Sequence, residues 1–546
     1  VAVFVPERKL FNFPNTHRYR FLFPVGNLAA TDRRKNGRVI SAQMLRISML
    51  LLLGLLAGCA QDAVFTPSAQ MCGFVRHTLA VNFPSPEEEG EEAVPPPDAA
   101  PTTGPRTGAT TPAGHRGPTE RTPAAMRPTT LAPDSLAAEL DRSLNRLPNG
   151  GRGPRGEAPA FLFLSGGSLH GAFGAGFLDA WRTARERDGK GFPQFNMVTG
   201  ISTGSILATF AFTGQTDQAV AGYSITDEST LLRPYLKPSP SGGLGLNAGI
   251  ALAKHGAVAN LDPLRAHLGK YLTYRTLAAV ADGRRQGRTL WVGAVDVDTG
   301  EAVAFDMVDM ANRYIAAQPL PPTPDSPETA EALRLKDCYI SAIMASSSAP
   351  IAAAPVFLDN RMYVDGGARF GLFGAEIGAL IEDRRTRTDT GGNALAVPVT
   401  YAIVNGTLEV GKPDACPKRD DKLCTTTEPT GGLEGEHDPW TFIGLALRSE
   451  EILANQVYRF SAQRIGTKAE ACEGCFNIVR IRPDAQSHPF TLDDRNLGKG
   501  TMSCADWRRE DRRLLNPVQF FPRYMRCIID YGRHRKEVEK WASLTP

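Results

Sequence analysis

Thr199-Gly200-Ile201-Ser202-Thr203-Gly204-Ser205 reads G-x-S-x-G, entered by the mostly apolar run 195–198 and left by the apolar run 206–212. An apolar strand, a sharp turn and an apolar helix in that order lift a serine hydroxyl out of the turn and aim a helix N-terminus at it. Small residues recur at this spacing by chance, so the pentapeptide acquires meaning from its neighbours. Upstream, Ala160-Phe161-Leu162-Phe163-Leu164 reads as a buried strand running into Ser165-Gly166-Gly167-Ser168-Leu169-His170-Gly171, with a helix expected over 172–187. Glycines there let main-chain N–H groups approach a ligand, either an oxyanion or a phosphate. The loop lacks the Gly-Lys-Ser/Thr ending of a nucleotide-binding P-loop. Downstream, Tyr363-Val364-Asp365-Gly366-Gly367 follows Ala345-Ser346-Ser347-Ser348-Ala349-Pro350. It places a carboxylate at a strand end, either as a proton acceptor or as part of a plain Asp-Gly turn.

Glycine loop, G-x-S-x-G and Asp-Gly-Gly in this order resemble the patatin-like phospholipase family over about 158–373. The resemblance implies an α/β fold of three α/β/α layers around a central, largely parallel sheet, and a Ser-Asp dyad that works without a histidine base. It makes Ser202 the nucleophile and Asp365 the base, with the main-chain amides of Gly166, Gly167 and Ser168 as the oxyanion hole. Gly171, Gly200, Gly204, Gly366 and Gly367 support the motifs. The 290–307 segment resembles the family's central hairpin, with Asp296 and Asp298 making its turn rather than doing chemistry. The chain departs from the family pattern at Ser168, where a third glycine is usual, and at His170, read as a packed polar residue in preference to a substrate contact. It departs again after Asp-Gly-Gly, where Ala368-Arg369-Phe370 replaces the frequent Asn and Pro.

Near the N-terminus, Met44-Leu45-Arg46 precedes an apolar run over 47–56, of signal-peptide length and short for a membrane span, which ends in Leu56-Ala57-Gly58-Cys59. That ending resembles a bacterial lipobox, which makes residues 44–58 a lipoprotein signal peptide and Cys59 the lipidated residue; an uncleaved anchor helix is the alternative. The chain opens on Val1, as a GTG start translated literally would. Residues 1–43 are therefore read either as sequence upstream of a true start at Met44 or as an extended n-region carrying Arg33, Arg34, Lys35 and Arg38. Ala60 rather than Asp after the cysteine points to the outer membrane, facing the periplasm or the surface.

Residues 59–157 are read as lipid anchor and spacer. Over 82–157 Pro, Thr, Ala, Gly and Arg dominate, with too few large apolar groups to offset chain entropy. Within this stretch, 136–147 reads as one helix capped near Asp134-Ser135. The acyl-hydrolase domain is expected over 158–546. Strands are expected at 395–404, where Pro398 suggests an edge or bulge, and at 476–481. A helix is expected over 440–461, with Phe442, Leu445, Ile452 and Leu453 on one face, and a charged helix over 531–544. The 546 residues carry a net charge of only +3, so nothing favours nucleic acid, and the arginines at 508–535 read better as a solvated surface than as a headgroup patch. Besides Cys59 there are Cys72, Cys338, Cys416, Cys424, Cys472, Cys475, Cys504 and Cys527. Export favours disulfides, with Cys416/Cys424, Cys472/Cys475 and Cys504/Cys527 as candidate pairs. A zinc site from the first four of those six is the rival.

The expected activity is that of a membrane-anchored serine acyl hydrolase of phospholipase A or lipase type, acting on phospholipid or another acyl-ester lipid through an acyl-enzyme. No metal, calcium or organic cofactor is expected, and no oligomeric state is read. Two rivals stand beside it. One is a Ser-His-Asp hydrolase using His437, His488 or His534. The other is a catalytically degenerate patatin-fold envelope lipoprotein that binds lipid or a protein partner. The lipobox makes a direct prediction. A radiolabelled fatty acid fed to cells should mark the chain, and Cys59→Ser should abolish the label; label that survives this substitution contradicts it.

Overall fold

The run Phe161-Leu162-Phe163-Leu164 is apolar at every position, and the structure buries both of its faces: Phe161 and Phe163 pack into one helical layer, Leu162 and Leu164 into the other. A strand buried on both sides needs helices on both sides of its sheet. The structure is a computed structural model that describes residue 65 and residues 70–79, 135–147, 158–235, 254–389, 391–408, 442–469 and 476–538. The signal peptide, Cys59, His437 and the four cysteines of the zinc alternative lie outside the described residues.

The described elements, in chain order, are β1 (Arg76–Thr78), α1 (Leu136–Asn145), β2 (Ala160–Leu164), α2 (Gly171–Arg187), β3 (Met197–Ile201), α3 (Thr203–Thr213), α4 (Thr216–Tyr223), the short pair β4 (Arg233–Pro234) and β5 (Ala259–Asn260), α5 (Asp262–Tyr271), α6 (Tyr274–Arg285), β6 (Thr289–Asp296), β7 (Ala302–Asp306), α7 (Met307–Ala317), α8 (Ala330–Ser347), β8 (Val356–Leu358), β9 (Arg361–Asp365), α9 (Gly374–Thr386), β10 (Val399–Val404), α10 (Phe442–Ala469), β11 (Phe476–Arg480), β12 (Pro489–Asp494), β13 (Gly498–Ser503), α11 (Cys504–Leu514) and α12 (Pro522–Val538). Among the described residues the main sheet has nine strands in the order β1-β7-β6-β3-β2-β10-β11, with β9 pairing β6 and β8 pairing β9. Core residues of α2, α3, α8 and α12 cover one face, and those of α1, α9 and α10 the other.

The sheet is mixed rather than largely parallel. Strands β11, β10, β2, β3 and β6 run parallel, whereas β7, β1, β9 and β8 join antiparallel. The cause is local. Asp296 accepts main-chain N–H groups of Asp298 and Thr299, closing the hairpin that sends β7 back along β6. Pro398 is neither at an edge nor in a bulge. Strand β10 is paired on both sides, and Pro398 precedes its first residue, so its missing N–H removes no ladder bond.

Parts of the stretch read as spacer are built into the fold. Strand β1 adds to β7 at the sheet edge, and the Asp359 carboxylate takes the N–H groups of Cys72, Gly73 and Phe74 at 2.6, 2.7 and 3.0 Å. Cys72 is disulfide-bonded to Cys338 on α8. Helix α1, capped by Ser135, buries Leu136, Leu140 and Leu144. Its Asp141 holds the fully buried Arg384 of α9 at 2.6 Å and Arg387 at 2.6 Å. On α10, Leu445, Ile452 and Leu453 are exposed, and the packed side carries Ala462 and Ile465. The C-terminal arginines are largely engaged with the protein: Arg523 with Asp511, Arg526 with Asp494, Arg533 with Asp179 and Arg513 with Glu510. Among the described residues no helix is long and apolar enough to cross a membrane.

Cys504 and Cys527, one of the candidate pairs, form a second disulfide. Non-reducing peptide mapping should recover both Cys72–Cys338 and Cys504–Cys527. The first closes a span of 266 residues, so Cys72→Ser should lower stability by about 2–5 kcal/mol in denaturant titration. An unchanged midpoint would show that β1 docks without the crosslink.

Candidate active site

Strand β6 is the ruler of the site. Parallel β3 runs up its lower part, with Ile201 opposite Gly293, and antiparallel β9 comes down from the other end, with Asp365 opposite Ala294. The ends of two strands far apart in sequence therefore meet at adjacent positions of one strand. Ser202 follows Ile201 directly, so the serine and the aspartate emerge at the same junction. Helix α8 pins both: Ser202 N–H donates to Ser346 Oγ at 2.8 Å, Ser346 Oγ donates to Gly293 O at 2.6 Å, and Asp365 N–H donates to Ser348 O at 2.9 Å.

Ser202 has φ 54 and ψ −127, a conformation L-residues rarely adopt, at the N-terminus of α3. Such a residue stores about 1–3 kcal/mol and persists where its surroundings over-determine it. The Ser346 contact is one such restraint; a second is Ser205, whose N–H and Oγ both donate to Ser202 O. The glycines of G-x-S-x-G answer to crowding: a Cβ on Gly200 would lie 2.3 Å from Gly204 O, and one on Gly204 would lie 2.3 Å from Leu164 O. A Cβ on Gly171 would meet Thr203 Oγ1 at 2.1 Å, and one on Gly366 would meet Gly293 O at 2.9 Å. Gly367 N–H donates to Asp365 Oδ1 at 2.7 Å, which orients the carboxylate.

The glycine loop lies against the serine, since a Cβ built on Gly166 would fall 3.1 Å from Ser202 Cβ. Gly167 has φ 143, and Ser168, the non-glycine of the loop, sits in the left-handed region at φ 52. Buried Asn405, just past the end of β10, fixes the loop's start: its N–H donates to Ser165 Oγ at 2.9 Å, its Nδ2 to Ser165 O at 2.8 Å, and its Oδ1 takes Gly174 N–H at 3.1 Å. His170 is half-buried and pairs with Tyr524 OH at 3.2 Å. The Tyr458 hydroxyl on α10 stands 2.1 Å from a Cβ built on Gly166 and 2.8 Å from one built on Gly367, so it closes the space between the two loops.

Ser168, Ser202 and Asp365 stand in the wall of one cavity of about 860 Å³, counting its open mouth. Ile206, Phe210, Leu231, Leu264, Leu268 and Phe520 make most of the rest of the wall apolar. Only 8 % of Ser202 and 6 % of Asp365 is exposed, so both sit in a largely dry setting. The histidine in this wall is His267, from α5. Its Nε2 donates to Gly222 O at 2.9 Å, and burial holds its pKa below the ordinary histidine value, which keeps it neutral at pH 7. His488 pairs with Asp530 at 2.9 Å, and neither His488 nor His534 lines the cavity. No cluster of three metal-ligating side chains occurs among the described residues. Reading the sequence missed Ser346, Asn405 and Tyr458. Asn405 had a usable signal, a polar residue immediately beyond the C-terminal end of a parallel strand; Tyr458 had none.

Residues 162–373 match the patatin-like phospholipase family, and a patatin-like phospholipase domain is present there. The crystal structure of VipD from Legionella pneumophila is similar at 13% identity over 46% of this chain and 52% of that one, about half of its length, with a TM-score of 0.23. No curated protein matches the chain.

Ser346 is tied to this geometry by two hydrogen bonds. Ser346→Ala removes the acceptor of a buried N–H and should cost about 1–3 kcal/mol in urea unfolding. A loss below about 0.5 kcal/mol would show that the turn does not depend on it.

Proposed function

We propose that this protein is a serine acyl hydrolase in which Ser202 and Asp365 form a catalytic dyad. One observation carries the reading: the two side chains, brought to one junction by β6, wall the same buried, mostly apolar cavity. An apolar cavity suits a fatty acyl chain, and a dry wall strengthens each electrostatic contact made to the reacting carbonyl.

In this mechanism Ser202 Oγ attacks the ester carbonyl carbon while Asp365 takes the hydroxyl proton. The carbonyl oxygen becomes an oxyanion held by main-chain N–H groups of Gly166, Gly167 and Ser168, with the α3 N-terminus adding its dipole. Collapse expels the alcohol, which receives the proton from Asp365. Water then attacks the acyl-Ser202 ester, losing its proton to Asp365; collapse breaks the bond from Ser202 Oγ to the acyl carbon, Ser202 Oγ takes that proton from Asp365, and the fatty acid leaves. The chemistry balances with ester and water alone. The substrate class is phospholipid or another acyl-ester lipid. The lipobox at Cys59 suits the same reading, by tethering the enzyme to the bacterial envelope, outer membrane included, where such lipids are at hand.

The test uses the full chain, purified oxidised in detergent. A fluorophosphonate probe should label Ser202, located by mass spectrometry. Ser202→Ala should abolish both labelling and esterase turnover, and Asp365→Asn should lower turnover about 10²–10⁴-fold while the fold is kept. A folded, unlabelled wild-type protein would overturn the dyad and favour a lipid-binding lipoprotein. His267→Ala, His488→Ala and His534→Ala should each retain the label; loss in one would return a histidine base to the mechanism.

A further inference from the structure

The glycine loop carries a residue that should not be comfortable there. Ser168 holds φ 52, a region suited to glycine, and its side chain is taken by a residue 351 positions away: Gln519 Nε2 donates to Ser168 Oγ at 2.7 Å. Gln519 belongs to the strap 515–521 between α11 and α12, beyond the 162–373 family match.

The strap is fixed independently of the loop. The Glu228 carboxylate accepts three consecutive main-chain N–H groups, from Val518 at 2.8 Å, Gln519 at 2.6 Å and Phe520 at 2.7 Å. At its two ends the strap closes on Asp511, whose carbonyl takes Leu515 and Asn516 N–H and whose carboxylate takes Tyr524 N–H and Arg523 Nη1. The Cys504–Cys527 disulfide ties the two flanking helices together. Helix α12 in turn lies close on α2, where a Cβ on Gly532 would meet Phe173 O at 2.3 Å. A rigid frame thus presents one amide to the loop residue that departs from glycine. Gln519 and Phe520 also line the cavity that holds Ser202 and Asp365.

We infer that Gln519 is a positioning residue for the oxyanion loop: by holding Ser168 Oγ it fixes the Ser168 main chain so that its N–H faces the reacting carbonyl. The inference rests on the oxyanion role given to that loop above. A glycine at this position needs no such clamp, so the strap contact and the serine form one unit, and removing the clamp matters only while the serine is present.

A double-mutant cycle tests this on the full oxidised chain, with Q519A, the isosteric Q519M, S168G and S168G/Q519A. It reads kcat and KM on a short-chain p-nitrophenyl ester, the rate of fluorophosphonate labelling of Ser202, and the melting temperature. Q519A and Q519M should each lower kcat and the labelling rate about tenfold, with KM within about twofold, in folded protein. S168G/Q519A should lie within about twofold of S168G. The proposal is overturned if the Gln519 substitutions cost the same factor in both backgrounds, which would make the strap a cavity wall or a fold element, or if they cost nothing. Q519M keeps the side-chain volume, so loss of fold in Q519A does not blur the result. Should wild-type protein neither turn over nor take the label, the dyad reading fails and this inference with it; an active wild type with an indifferent Gln519 removes the inference alone.

Discussion

Two strands meeting head to head on a third is the constraint from which the rest of this site follows. Strand β6 is longer than β3, so once β3 ends opposite Gly293 the remaining edge of β6 lies open, and β9 fills it from the opposite direction. Ser202 and Asp365 are the residues at that junction, and no loop has to reach to bring them together. The packing serves the same point. Gly293 lends its carbonyl to Ser346, Ser346 lends its oxygen to Ser202 N–H, and Ser348 takes Asp365 N–H, so one helix end locks both strand ends.

Strain follows from this economy. A serine at φ 54 and a glycine loop with its own serine at φ 52 place two unfavourable backbones in the wall of one cavity. Such conformations survive where several independent contacts over-determine them. Here the contacts come from four separate parts of the second half of the chain: Asn405 after β10, Ser346 on α8, Gln519 on the C-terminal strap and Tyr458 on α10. The two disulfides lie under this arrangement, one joining Cys72, just ahead of the edge strand, to α8, the other binding the helices that carry the strap.

What could be read in the sequence is what chain neighbours decide. The apolar run of β2, the turn and helix around Ser202, the cap at Ser135 and the Asp296 hairpin all depend on residues a few positions apart, and each was legible. The structure departs where partners are distant. The antiparallel half of the sheet, the edge strand drawn from the stretch read as lipid anchor and spacer and the Cys72–Cys338 link depend on long-range pairing that periodicity does not encode. Pro398 misled because a proline's meaning depends on whether it lies inside a strand or one residue before it. Leu445, Ile452 and Leu453 marked their helix and yet are exposed, because an apolar stripe marks a helix without stating which side the core occupies. Gln519 and Glu228 left no trace in any local pattern, since a glutamine matters here only through where the fold carries it.

The central claim is that Ser202 opens onto an acyl cavity with the glycine loop behind its carbonyl. The most direct measurement is a crystal structure of the full chain after reaction with a long-chain alkyl phosphonate. The account predicts phosphorus bonded to Ser202 Oγ, the phosphonyl oxygen against the N–H groups of Gly166, Gly167 and Ser168, and the alkyl chain running past Ile206, Phe210, Leu264 and Leu268. An adduct whose oxygen turns away from the loop, or whose chain lies outside that cavity, would contradict it.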